Sequence, residues 1–162
     1  MKMAKKVSVL FVCLGNICRS PTAHGIFRHL VKSEGLEELI EIDSAGTAAF
    51  HIGKSPDTRS TRVAKERGID MSDLRARQVD LGDFYQYDYV LAMDEANFFN
   101  LKEMALPEHY DRIKLFLEFA SDYDEIEVPD PYYGGAQGFD HVFDLVESAS
   151  RGLLQHIRQK NL

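Results

Sequence analysis

Along this chain the apolar positions switch repeatedly between a continuous or two-residue pattern and a helical one, and each switch marks a predicted element. Residues 7–12, "VSVLFV", are β-rich and almost uninterruptedly apolar, the pattern of a central parallel strand covered on both faces. Past Ser20 and Pro21 the period changes: Ala23, Ile26, Phe27, Leu30 and Val31 fall on one face of an amphipathic helix. Ser20 is its predicted N-cap, Pro21 its first helical residue and Gly35 its stop. A second strand is predicted over residues 39–44, followed by the loop "AGTAAFHIGK". Ser55 and Pro56 repeat the cap-plus-proline signal and open a helix that Gly68 ends. Residues 87–93 read as a third strand with a helix over 94–105 behind it, and a fourth strand lies near 113–117. The acidic stretch 122–130 reads as a solvated loop. From about Phe139 to Gln159, the stripe Phe139, Val142, Phe143, Val146, Ala149, Leu153 and Ile157 predicts a long helix packed on the core.

This β-α-β-α-β-α-β-α alternation, with short connections and no repeat, predicts an α/β fold. The expectation is a single domain over residues 1–162, an open four-stranded parallel sheet with helices on both faces. It is a flavodoxin- or Rossmann-like three-layer arrangement with strand order 2-1-3-4. Ligands of such sheets bind beyond the carboxyl ends of the strands. Cys13 and Ser44 stand at two of those ends, and Asp94 just past a third.

Composition narrows the function classes. A length of 162 residues suits one domain with a real core. The formal charge of −7 disfavours gripping a nucleic-acid backbone, while a few local donors still suffice for a small anion. With two cysteines there is no disulfide framework. The lysines before the first apolar run imitate a secretory signal, but the run is short, no small-x-small site follows, and no stretch reaches the length of a membrane span. No nucleic-acid or membrane partner is expected, and the expected location is cytoplasmic.

The candidate chemistry sits in "VCLGNICRSP", residues 12–21. A loop running from Cys13 through Leu14, Gly15, Asn16, Ile17 and Cys18 to Arg19, with Gly15 and Asn16 tolerant of positive φ, can curl so that its backbone N–H groups converge. The following helix aims its positive end at the same spot. Such donors suit a tetrahedral dianion, and Arg19 adds a forked clamp on two of its oxygens. The same field suits a thiolate nucleophile at Cys13. Anion cradle and nucleophile would then meet at phosphorus. Cys13 alone could equally be a buried small hydrophobe at a strand end; Asn16, Arg19 and Ser20 are what a core has no use for. Ser20 has two compatible readings, helix cap and hydroxyl partner of the Cys13 sulfur. Neither zinc-ligand spacing nor a Walker A or GxGxxG motif is present, so no metal or nucleotide is expected. An alkoxide or phenoxide leaving group needs a proton donor. Asp130, between prolines and beside Tyr132 and Tyr133, is one candidate. Asp94 is another, although it also fits as a plain helix cap.

Taken together, "VCLGNICRSP", "DSAG" (43–46), "ARQ" (76–78), "MDEAN" (93–97) and "DPYYGG" (130–135) resemble the low-molecular-weight protein tyrosine phosphatases, in that family's order and over nearly the whole chain. The resemblance implies Cys13 as nucleophile, Arg19 as phosphate clamp, and Asp130 as general acid and then base toward the phosphocysteine. It implies that Asn16 holds the strained loop, that Ser20 and Ser44 join its hydrogen bonds, and that Phe50, Tyr132 and Tyr133 line the slot for the substrate ring. Cys18 matches the thiol that traps Cys13 as a reversible disulfide. The family uses no cofactor; its partners are phosphotyrosine-containing proteins, with inorganic phosphate as product and inhibitor. Two positions depart from the pattern. Phe50 stands where many relatives carry Trp or Tyr, and Leu74 where many carry a histidine that supports the loop, a loss expected to loosen Ser20 or to change the acidity of the thiol. Three other readings are weighed: a phosphoarginine phosphatase, for which Ile17 replaces the usual Thr; an arsenate reductase, which needs downstream thiols that this chain lacks; and a non-catalytic anion-binding or redox-sensing module.

Overall fold

The computed structural model describes residues 6–132 and 137–162, Gln137 by its backbone alone. Strand β1 (Val7–Cys13) is buried along its whole length and lies at the centre of a parallel sheet with β2 (Ile40–Gly46), β3 (Tyr89–Ala92) and β4 (Ile113–Leu115), in the order β2-β1-β3-β4. β1 pairs with β2 from Val7 opposite Ile40 to Cys13 opposite Gly46, and with β3 from Val9 opposite Tyr89 to Val12 opposite Ala92. The expected order and parallel sense are those observed.

The alternation along β1 builds two cores. Val7, Val9, Phe11 and Cys13 join the cluster beneath helices α1 (Arg19–Ser33), α2 (Thr58–Glu66) and α5 (Gln137–Lys160). There Phe11 meets Phe27 and Phe116 edge-on, at 5.7 and 5.0 Å between ring centres. Leu10 and Val12 face the opposite cluster, closed by α3 (Asp83–Gln86) and α4 (Glu95–Met104). The whole predicted stripe of α5, from Phe139 to Ile157, is buried in the first cluster. Among the described residues no helix is long and apolar enough to cross a membrane.

Several boundaries differ from those read in the sequence. α1 begins at Arg19 with Cys18 at the cap position and no side-chain cap, so Ser20 is not the N-cap and Pro21 falls inside the first turn. Ser20's hydroxyl has been claimed by the loop before it. The Ser55-Pro56 signal is likewise displaced: Asp57 caps α2, its carboxylate accepting the Arg59 N–H at 2.8 Å. The third and fourth strands are shorter than expected, the latter running into a 3₁₀ turn over Phe116–Phe119. The acidic stretch is mostly exposed, but Val128 is fully buried and its N–H donates to the Met93 carbonyl at 2.7 Å. That bond brings Asp130 back over the end of β3.

Candidate active site

Residues 13–19 leave β1, curl, and re-enter as α1. The curl turns at Asn16, whose φ of 56° puts a side-chain-bearing residue in the left-handed region. Its outer side is held by backbone bonds from other segments. The N–H groups of Thr47, Ala48 and Asp57 donate to the carbonyls of Cys13, Leu14 and Ile17 at 2.9, 2.9 and 2.7 Å. With the carbonyls drawn outward and the first turn of α1 uncapped, the loop's amides are left for an anion. The approach of β2 is so close that a Cβ on Gly46 would stand 2.7 Å from the Leu14 carbonyl oxygen.

The Cys13 sulfur lies within this curl. The Asn16 N–H donates to it at 3.3 Å and the Ser20 hydroxyl is 3.1 Å away. Asn16 Nδ2 in turn donates to Ser20 Oγ at 2.7 Å, while Asn16 Oδ1 accepts the Arg77 N–H at 3.0 Å. Ser20 is therefore held without any polar support from position 74, where Leu74 is buried in the apolar core. Ser44, expected to join this network, has its hydroxyl 3.0 Å from His24 Nδ1. Burial pushes the His24 imidazole down to about 4, against the opposing pull of Asp43, so it is neutral near pH 7.

Arg19 is almost wholly buried, yet its guanidinium is held charged. Burial acts to lower its pKa, but the Cys13 sulfur, Asp94 and Asp130 outweigh that and raise it. One terminal nitrogen donates to Asp94 Oδ2 at 2.7 Å and to the Val128 carbonyl at 3.0 Å; the other lies 3.6 Å from Asp130 Oδ2. Asp94 is doubly engaged, its Oδ1 capping α4 by accepting the Asn97 N–H at 2.8 Å. The helix-cap reading of Asp94 therefore holds, and the same carboxylate also anchors Arg19. Asp130 instead borders the pocket, its Oδ1 accepting the Tyr132 N–H at 3.0 Å.

One pocket collects Cys13, Leu14, Gly15, Ile17, Cys18, Arg19, Phe50, Asp130 and Tyr132. Asn16 and Ser20 lie behind it as supports; Tyr133 lies outside the described residues. Phe50 is 72% exposed at the rim and Leu14 and Tyr132 are partly exposed, an apolar lip that stays in water until something flat covers it. Sequence reasoning missed His51, which lines the same pocket with its ring centre 6.2 Å from that of Tyr132. It also missed Arg77 and the Val128 carbonyl. Only adjacency to Phe50, the "ARQ" segment and the "VPDP" run could have pointed to them. Cys18 is buried, and burial, reinforced by the nearby Asp57, pushes its thiol up to about 12, so it stays protonated. Among the described residues no group of three or more His, Cys, Asp or Glu side chains is placed to hold a metal ion. The site can bind a tetrahedral dianion, set a sulfur against it, and offer a carboxyl group on the open side.

Comparison with known proteins agrees with this geometry. Residues 8–162 match the family model for the low molecular weight phosphotyrosine protein phosphatases. The chain is 42% identical to the low molecular weight protein-tyrosine-phosphatase YfkJ of Bacillus subtilis, covering 95% of this chain and 97% of that one. It is also 42% identical to the low molecular weight phosphotyrosine protein phosphatase of Schizosaccharomyces pombe, over 96% of this chain and 99% of that one. The crystal structure of a protein tyrosine phosphatase from Entamoeba histolytica superposes with a TM-score of 0.93 at 38% identity, covering 97% of this chain and all (100%) of that one. A chain with this sheet, this loop and these relatives belongs to the low molecular weight phosphotyrosine protein phosphatase family and is a phosphotyrosine hydrolase.

Proposed function

We propose that hydrolysis runs through a phosphocysteine on Cys13. The sulfur anion attacks phosphorus while the loop amides and the Arg19 fork take the equatorial oxygens. The bond from phosphorus to the aryl oxygen breaks as Asp130 delivers a proton to that oxygen. Water then attacks the phosphocysteine, Asp130 takes its proton, and inorganic phosphate leaves with the thiolate restored. The observation that carries this reading is the convergence on one pocket of a sulfur that accepts the Asn16 N–H and lies 3.1 Å from the Ser20 hydroxyl, a buried charged guanidinium, and a carboxyl group 3.6 Å from that guanidinium. Phe50, Tyr132 and Ile17 supply apolar walls that favour an aromatic ring over a linear guanidino group.

Two comparisons test it. Cys13→Ser is expected to abolish turnover while retaining vanadate binding. Asp130→Ala is expected to slow release of a phenol of high pKa about a hundredfold or more and one of low pKa far less, since general acid catalysis contributes about 10²–10⁴-fold. Equal losses for both phenols would remove Asp130 from the role. One structural relative, at 32% identity and a TM-score of 0.87, is an arginine phosphatase from Drosophila. Assaying phosphotyrosine, phosphoserine and phosphoarginine peptides side by side decides between substrates, and phosphoarginine preference would overturn the aryl assignment. For Cys18 the reading is a resolving thiol. Peroxide oxidises Cys13 to the sulfenic acid, and the Cys18 sulfur displaces water from it to give a disulfide. Thiol-reversible inactivation in the wild type and irreversible inactivation in Cys18→Ser are the expected results.

A further inference from the structure

The "ARQ" segment takes no part in the chemistry above, yet it touches the nucleophile loop at its most constrained residue. Glycines aside, Asn16 alone among the described residues has a positive φ. Its side-chain amide is gripped at both ends, Oδ1 by the Arg77 N–H and Nδ2 by Ser20 Oγ. The Arg77 N–H is itself placed by an unusual anchor. The Arg77 guanidinium donates through Nε to Asp43 at 3.0 Å and through both terminal nitrogens to the two oxygens of Asp83, at 3.0 and 3.1 Å. Asp83 is buried at 4% exposure and also accepts the Asp80 N–H at 2.9 Å, so this carboxylate is fixed before it meets the arginine. Asp43 opens the "DSAG" segment and accepts the Ser44 N–H at 2.8 Å. The two segments are stitched along the backbone as well: the Gly46 N–H donates to the Arg77 carbonyl at 2.8 Å, and the Val79 N–H to the Gly46 carbonyl at 2.9 Å.

One guanidinium between two carboxylates therefore locks residue 77 against the edge of β2, with its amide aimed at Asn16. Among the described residues, Arg77 does not line the pocket that holds the Cys13 sulfur. We propose that Arg77 is a positioning residue: its ion cluster holds the donor that keeps Asn16 in the left-handed turn, and through Asn16 keeps both partners of the Cys13 sulfur in place. A left-handed non-glycine residue persists only where its surroundings over-determine it, and here the fixed donor does so. The proposal rests on Cys13 being the nucleophile.

The test is a double-mutant cycle pairing Arg77→Met with Asn16→Gly, measured as kcat on an aryl phosphate beside the thermal unfolding midpoint. Glycine adopts positive φ freely, so in its presence the clamp has nothing left to hold. Arg77→Met alone is expected to lower kcat about tenfold with KM within about twofold, and in the Asn16→Gly background to lower it by less than about threefold. A loss of less than threefold in the wild-type background, or of more than threefold in the glycine background, overturns the proposal; a purely structural role lowers the unfolding midpoint and adds in both backgrounds. Should Arg77→Met not fold, Arg77→Lys, which keeps a charge but loses the fork, is read by the same thresholds. Cys13→Ser separates the two failures. Activity surviving that substitution overturns the nucleophile and the clamp together, whereas activity lost there with an additive cycle overturns the clamp alone.

Discussion

Asp94 shows how much one carboxylate does in this fold. One oxygen caps α4 and the other anchors the buried Arg19, and a substitution to Ala removes both services together. Serine separates them, because its hydroxyl still accepts the Asn97 N–H but does not reach the guanidinium. Asp94→Ala is expected to cost about 1 kcal/mol for the cap alone, with more for the buried charge left short of a partner. Asp94→Ser is expected to keep most of the cap's share and still lose about tenfold in kcat, the scale of one hydrogen bond to a charged group. Unfolding midpoints and kcat for the two variants decide this, and unchanged kcat in Asp94→Ser would mean that the Val128 carbonyl alone orients Arg19. The same long-range coupling explains which site residues the sequence disclosed. The loop from Cys13 to Ser20 was legible because its cradle is contiguous and its residue types have no other common use. The bonds from Arg19 to Asp94 and from Asn16 to Arg77 span 75 and 61 residues, so only the folded sheet brings them together.

Elements were legible where burial imposes a period. β1 and α5 announce themselves because each packs a long continuous surface, whereas α3 has four residues and no period to read. Both serine-proline cap signals failed for one reason: a cap is a local option, and a better partner for the hydroxyl or a better acceptor two residues on displaces it. Ser20 turned to Asn16 and the Cys13 sulfur, and Asp57 took the cap of α2 from Ser55. Close approach between elements is the other feature that a single sequence hides. Gly152, in the middle of α5, forfeits roughly 1 kcal/mol of helix propensity relative to Ala. Yet a Cβ there would drive into the Phe119 carbonyl of the 3₁₀ turn after β4. Gly152→Ala is therefore expected to destabilise by about 1–3 kcal/mol, the cost of overpacking, despite the better propensity. Gly53→Ala is the contrast: its Cβ meets nothing within 4 Å, and only its φ of 82° opposes the change. A cost of about 1–2 kcal/mol with kcat unchanged is expected there. Denaturant titrations of both variants measure the difference, and stabilisation by Gly152→Ala would show that α5 slides away from the turn without penalty.

At the scale of the molecule, the polar groups inside the sheet's α1 face make folding sensitive to acid. His24 and Ser44 meet between α1 and β2, and burial holds the imidazole down at about 4, well below its ordinary 6.5. The folded protein thus binds fewer protons at this position than the unfolded chain does. Stability from the neutral imidazole is fully present above about pH 6.5, declines as pH falls toward 4, and is gone below it. The linkage amounts to about 3 kcal/mol across that window. The charged groups around it work in both directions: Asp43 and Asp73 favour the imidazolium, while Arg28 and Arg77 oppose it. Asp73 is itself held below the ordinary carboxylate range by its hydrogen bond to Arg28. His24→Asn keeps a donor or acceptor for Ser44 without a titrating ring, so its unfolding free energy is expected to vary less with pH between 6.5 and 4 than that of the wild type. At pH 7 the two proteins are expected to differ mainly by the change in packing. Parallel pH profiles for the two chains would show that His24 titrates as freely as a surface histidine, and that the α1–β2 interface opens before the fold does.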